Sequence, residues 1–168
     1  LNTFHLGEKV SNFIKNQNFP VDIQIIEDGD EILNTGGGIL NMINHSGDKD
    51  FLVFNPDTLW NESYVDEIND MQNFYFKNQL NNILMVTNKQ LSFDQNLTGD
   101  FELKKNLLKK ENNKNFIYTG CQILKKDLFK NYKVKSFSIS KCVNAFGKRC
   151  QRLGKLRFSA RFLGRNSS

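Results

Sequence analysis

An α/β fold, built on a Rossmann-like and mostly parallel sheet with flanking helices, is what this sequence predicts. Three observations carry that expectation. Two continuous apolar runs, Phe51–Phe54 (FLVF) and Ile83–Thr87 (ILMVT), read as strands buried on both faces, the habit of parallel sheets. Segments with apolar residues at helical spacing alternate with such runs up to about residue 88. A glycine triplet, Gly36-Gly37-Gly38, opens one of the helical segments, as at many strand-to-helix connections.

Taken in order, Leu6 to Phe19 reads as a helix, with Val10, Phe13 and Ile14 on one stripe and Pro20 as its stop. Val21 to Glu27 (VDIQIIE) is rich in branched apolar residues and reads as a strand. Asp28-Gly29-Asp30 is a turn. After the glycines, Ile39, Leu40, Met42 and Ile43 form a short apolar helix that closes near Gly47. The strand at Phe51–Phe54 runs straight into Asn55-Pro56-Asp57. Tyr64 to Leu80 is a second long helix, followed by the strand Ile83–Thr87. Beyond residue 100 the pattern shortens to strands at 101–103, 106–108 and 116–123, then a brief helix at 127–130. In such sheets the C-terminal ends of the strands are where ligands collect.

The 168 residues suit one domain with a real core, or a piece of a larger one. A hydrophobic share of 39% with 24% charged residues is globular composition and excludes a disordered or fibrous chain. No apolar run is long enough to cross a bilayer, and no secretory signal opens the chain. It begins at Leu1 rather than Met, as expected of a fragment or a processed product. Three cysteines, Cys121, Cys142 and Cys150, are too few and too far apart for a disulfide framework or a zinc site, and they fit a reducing compartment.

Net charge is +5, but it is unevenly spread. Residues 1–127 contain all 18 acidic side chains and 12 of the 23 basic ones, a net of −6, whereas residues 128–168 hold 11 basic residues and no acid. Arginine first occurs at Arg149, and Arg152, Arg157, Arg161 and Arg165 follow. The composition breaks near Ser140. We therefore divide the chain into a body at 1–140 and a basic tail at 141–168, the tail being expected to be non-native or out of frame. Such a tail, with Phe158 and Phe162 as stacking groups, also suits a polynucleotide backbone, but no nucleic-acid-binding motif accompanies it.

Two constellations invite chemistry. Thr35-Gly36-Gly37-Gly38 has no side chains to keep a ligand away from the backbone. If its amides are free, they can face an anion or a base edge, with Thr35 as helix cap; the competing reading is a tight connection. Asn55-Pro56-Asp57 delivers a carboxylate to a strand tip, where Mg²⁺ and phosphates gather; the competing reading is a turn or cap residue. The glycine turns Gly99-Asp100 and Thr119-Gly120 read, by themselves, as a hairpin turn and a strand bulge.

The first two constellations occur in order, about twenty residues apart, each tied to the element that suits it. Together they resemble the nucleotidyl transferase family of sugar-nucleotide pyrophosphorylases. The branch they are most similar to contains the N-acetylmuramate-1-phosphate uridylyltransferases and mannose-1-phosphate guanylyltransferase-like proteins. The stretch at issue runs Thr35-Gly36-Gly37-Gly38-Ile39, then Phe51 to Asn55-Pro56-Asp57-Thr58-Leu59-Trp60. The resemblance implies transfer of a nucleoside monophosphate from a triphosphate (UTP or GTP) to a sugar-1-phosphate in the cytoplasm, with release of pyrophosphate. It implies Asp57 as the catalytic, Mg²⁺-binding carboxylate. Thr35, Gly36, Gly37, Gly38 and Asn55 would stand beside the nucleotide, and Gly99, Asp100, Thr119 and Gly120 beside the sugar phosphate. The family's opening G-x-G-x-R-M-x-P loop and its K-P lysine do not occur in these 168 residues, Pro56 replaces a usual Gly, and no acid follows Asp127. The expectation is an N-terminally truncated enzyme with little or no turnover alone. A non-catalytic nucleotide or sugar-phosphate binding module is the alternative.

Overall fold

The computed structural model describes residues 1–92, 94, 96–104, 107–112, 114–144 and 148–152, with side chains through Cys142. The chain divides into two compact units, 1–49 with 126–145, and 50–125 with 146–168.

In the first unit, β1 (Asn2–Thr3) and β2 (Ile26–Glu27) pair in parallel, with α1 (Gly7–Lys15) connecting them. Glu8 in the first turn and Lys15 in the last complement the helix dipole. The helix is shorter than expected and stops at Asn16, where an Asn-Gln-Asn run replaces good helix formers. The expected strand Val21–Glu27 contracts to its last two residues, because β1 offers only two pairing positions, and Val21 is exposed. The turn at Asp28-Gly29-Asp30 is present, with Gly29 at φ 82°.

α2 (Asn34–Asn44) buries Ile39, Leu40 and Ile43 along one face. The later part of the chain returns to this unit through a 3₁₀ turn at Lys126–Phe129 and a single-turn helix at Ser140–Asn144. Lys126 anchors the return: its amide donates to the Lys49 carbonyl at 2.8 Å and its Nζ to the Ser46 carbonyl at 2.7 Å. Phe137 packs between Tyr132, stacked at 4.9 Å, and Phe129.

The second unit holds a six-stranded sheet. Its strands are β3 (Asp50–Phe54), β4 (Asn82–Asn88), β5 (Glu102–Lys104), β6 (Leu107–Lys109), β7 (Phe116–Lys125) and β8 (Lys148–Arg152), ordered β3-β7-β4-β8-β6-β5. Between β3 and β4, α3 (Val65–Lys77) follows a 3₁₀ turn at Glu62–Tyr64 that the Asn61 side chain caps. Met71 and Tyr75, four residues apart, place one side of α3 in a core with Tyr64, Leu80, Ile83, Met85, Cys121 and Ile123. Full burial of such a side chain is worth about 1.5–3 kcal/mol. The Tyr75 hydroxyl donates to Asp50 Oδ1 at 2.6 Å.

The α/β class holds, and the sheet is mixed. β3 and β4 run in the same direction, as helix–strand alternation predicts, but β7 lies between them, antiparallel to both. β4 and β8 are parallel. Two expectations are corrected. The sheet is not mostly parallel: within it, among the described residues, only the β4–β8 pairing is parallel, because β7 and β6 enter as antiparallel neighbours. β4 is buried along almost its whole length, yet β3 is not buried on both faces: it stands at the sheet edge with Leu52 and Phe54 exposed, and the Phe54 ring rests edge-on against Trp60. Lys141 lies in the single-turn helix, α4 (Ser140–Asn144), and β8 pairs with β4 and β6. Arg157, Arg161, Arg165, Phe158 and Phe162 lie outside the described residues, as do Lys105 and Asn106 of the strand expected at 106–108. Among the described residues no helix is long and apolar enough to cross a membrane.

Candidate functional site

Pro56 has no amide to offer a ladder, so β3 ends there and the chain turns. The turn is clasped to β7. The Asn55 amide donates to the Gly120 carbonyl at 2.8 Å, and Thr58 Oγ1 donates to the Thr119 carbonyl at 2.9 Å. Asp57, between these two fastenings, is exposed, and among the described residues its carboxylate accepts no hydrogen bond.

β7 is bulged where it receives the turn. Its register against β4 passes from Leu84↔Gln122 to Val86↔Tyr118, so Met85 alone faces Thr119, Gly120 and Cys121. Thr119 Oγ1 fills part of the gap by donating to the Met85 carbonyl at 3.1 Å. Gly120 has φ 87°, a region L-residues avoid, and a Cβ there would come within 2.9 Å of both Asn55 Cβ and Thr58 Oγ1. The bulge therefore lets two backbones approach more closely than any side chain allows.

Asp100 supports the same strand two residues before Gly120. Its Oδ2 accepts the Tyr118 amide at 2.9 Å, and its own amide donates to the Phe116 carbonyl. Gly99 lies against the Lys114 carbonyl, 2.2 Å from where a Cβ would sit. Burial pushes the Cys121 thiol up to about 12. Burial also raises the Tyr118 phenol well above the ordinary tyrosine range, with Cys121 and the Asp57 charge adding to it.

The structure thus brings Asn55, Asp57, Asp100, Thr119 and Gly120 into one place, with Gly99 next in the chain. Sequence reasoning missed Thr58, Tyr118 and Cys121 as members of this group. Thr58 was within the motif that carries the resemblance. Tyr118 and Cys121 sit inside an apolar run, FIYTGCQI, where aromatic and thiol side chains read as core.

Thr35 to Gly38 lie in the other compact unit. The amides at the helix start are not free: those of Gly36 and Gly37 donate to the Phe137 carbonyl, at 2.8 and 3.3 Å. Leu33 holds the cap position with no side-chain bond, and Thr35 is one residue inside the helix. Thr35 Oγ1 instead accepts the Ile139 amide at 3.1 Å. The missing side chains make room for protein: a Cβ on Gly37 would sit 2.2 Å from the Lys135 carbonyl, one on Gly36 2.4 Å from the Phe137 ring, and one on Gly38 2.7 Å from Asn2 Nδ2. The physical reason is that residues 135–139 cross the start of α2 and supply the carbonyl a ligand would otherwise compete for.

No group of three or more His, Cys, Asp or Glu side chains converges among the described residues. Asp57 stands at a strand end, exposed.

The chain has the fold of the sugar-1-phosphate nucleotidyltransferase structures, as comparison with solved structures shows. It is similar to the inositol-1-phosphate CTP transferase of T. maritima, with a TM-score of 0.72 and 13% identity over 96% of this chain and 69% of that one. HddC from Yersinia pseudotuberculosis, solved in complex with GMP-PN, gives a TM-score of 0.67 and 17% identity over 89% of this chain and 67% of that one. UDP-glucose pyrophosphorylase from Acinetobacter baumanii gives 0.58 and 17%, over 87% and 57%. No protein-family profile matches the chain, and no curated protein does.

Proposed function

We propose that this chain carries part of the site of a nucleotidyltransferase that moves a nucleoside monophosphate from UTP or GTP to a sugar-1-phosphate and releases pyrophosphate. One observation carries the reading. The Asn55-to-Thr58 turn is fastened at both ends to the Thr119–Gly120 bulge, and between the fastenings the Asp57 carboxylate accepts no hydrogen bond among the described residues. Asp57 would hold Mg²⁺, which when bound offsets negative charge on the phosphates. Asn55 stands next to it on the nucleotide side, and Thr119, Gly120 and the Gly99-Asp100 turn on the sugar-phosphate side. Thr35 is exposed at the start of α2, where the amides of Gly36 and Gly37 are bound by the Phe137 carbonyl.

These 168 residues contain no arginine before Arg149 and no G-x-G-x-R loop, which favours binding without turnover for this polypeptide alone. The test is calorimetric titration of UDP-glucose and GDP-mannose, with and without Mg²⁺, together with a pyrophosphate-release assay. Expected are Mg²⁺-dependent binding, loss of that dependence in Asp57→Asn, and pyrophosphate release at the level of a no-enzyme blank. Binding that ignores both Mg²⁺ and Asp57→Asn would remove the basis of the proposal. Release well above the blank would show that the chain needs no further loop.

A further inference from the structure

Two threonine hydroxyls link an inner strand of the sheet to the turn that carries Asp57. Thr119 Oγ1 donates to the carbonyl of Met85, a fully buried residue of β4, at 3.1 Å. The Thr119 carbonyl in turn accepts from Thr58 Oγ1 at 2.9 Å. Thr58 follows Asp57 directly. The fastening on the other side of Asp57, from the Asn55 amide to the Gly120 carbonyl at 2.8 Å, is made by backbone alone. The Thr58 hydroxyl is thus the side-chain part of the clasp. Space beside it is closed, since a Cβ on Gly120 would lie 2.9 Å from Thr58 Oγ1. Threonine suits the position, because its branched Cβ restricts χ1 and gives up little freedom when the oxygen is bound.

We propose that Thr58 is a positioning residue whose hydroxyl fixes the direction in which the Asp57 carboxylate is presented to a divalent cation. This rests on the nucleotidyltransferase reading above and adds to it a residue that acts through Asp57 alone. A carboxylate on a loose turn samples many directions, and ordering it on binding costs affinity. On a turn tied at both ends that freedom is already lost before the cation arrives. Groups that orient a metal-binding side chain without touching the metal typically change metal affinity about ten- to a hundredfold when they are removed. Valine keeps the shape of threonine and lacks the donor; serine keeps the donor and lacks the methyl. The two substitutions therefore separate the hydrogen bond from the packing.

A titration with Mn²⁺ alone, followed by water-proton relaxation, reads the cation without nucleotide or sugar. Wild type should bind Mn²⁺, and Asp57→Asn should lose that binding. In Thr58→Val the affinity should fall about tenfold. Thr58→Ser should bind as wild type does. Thr58→Ala, with no group facing the Thr119 carbonyl, takes the place of Thr58→Val if that variant does not fold. Gly29→Ala, strained at φ 82° in the other compact unit, controls for lost stability and should bind as wild type does. Unchanged affinity in Thr58→Val would overturn the inference. So would a Thr58→Ser variant as weak as Thr58→Val, or an equal loss in Gly29→Ala, and in all three cases the functional reading stands. If wild type does not bind Mn²⁺, or binds it no better than Asp57→Asn does, the functional reading fails and takes this inference with it.

Discussion

Gly120 is where the structure makes its most exacting demand, so Gly120→Ala is the substitution with the most to say. Two costs add there. The backbone has φ 87°, and an L-residue held in the left-handed region pays roughly 1–2 kcal/mol. The new methyl would also arrive 2.9 Å from Asn55 Cβ and Thr58 Oγ1, so the Asn55-to-Thr58 turn must retreat. Retreat loosens the Asn55–Gly120 and Thr58–Thr119 hydrogen bonds, each worth about 1 kcal/mol net. The total is about 3–4 kcal/mol. At a urea slope near 2 kcal/mol/M this moves the midpoint down by about 1.5–2 M. Trp60, the chain's single tryptophan, follows Thr58 by two residues and reports the transition by fluorescence.

Gly29→Ala separates the two costs. Gly29 has φ 82°, and nothing lies within 4 Å of its Cβ position, so that variant pays for conformation alone, about 1–2 kcal/mol, read by circular dichroism. A stability for Gly120→Ala within about 0.5 kcal/mol of wild type would refute both parts of the reasoning. Equal losses in the two variants would refute the crowding part only.

Other consequences follow from the same geometry. Gly37→Ala brings a methyl against the Lys135 backbone and should detach residues 135–139 from the start of α2, costing about 1–3 kcal/mol; faster hydrogen exchange at the Gly36 amide is the readout, and unchanged protection would contradict it. Cys121 gives a pH dependence. Because its folded pKa is raised, the protonated thiol's contribution is complete below the unfolded value near 8.5 and is lost as pH climbs toward about 12. Stability should fall through that interval by up to about 1.4 kcal/mol per pH unit from this thiol, and the fall should be shallower in Cys121→Ala; equal slopes would deny Cys121 the effect.

What the sequence disclosed, and what it withheld, divides along one physical line. Periodicity and turn chemistry act locally, and the elements they govern, α2, α3, β4 and the Gly29 turn, stand close to where they were expected. Pairing is not local. FLVF and ILMVT are equally apolar, yet ILMVT is flanked by β7 and β8 and FLVF by β7 alone, because the later strand Phe116–Lys125 enters between them. The glycine triplet shows the same limit. Three glycines announce a close approach, but only the fold says that Lys135, Phe137 and Asn2 make it. At Asp57 the motif places a carboxylate after an apolar strand and a proline, but only the fold says that Gly120 and Thr119 clasp the turn on either side of it.

The two aspartates of the site show how commitment separates roles that composition leaves equal. Both are exposed, and both follow a turn-forming residue. Asp100 has given Oδ2 to the Tyr118 amide, a bond that fixes the strand carrying Thr119 and Gly120. Asp57 accepts no hydrogen bond among the described residues, although hydrogen-bond donors on either side of it, the Asn55 amide and the Thr58 hydroxyl, were within the same short turn and went instead to β7 carbonyls. One carboxylate is thus spent on holding a strand, and the other is left open by the donors that clasp its own turn.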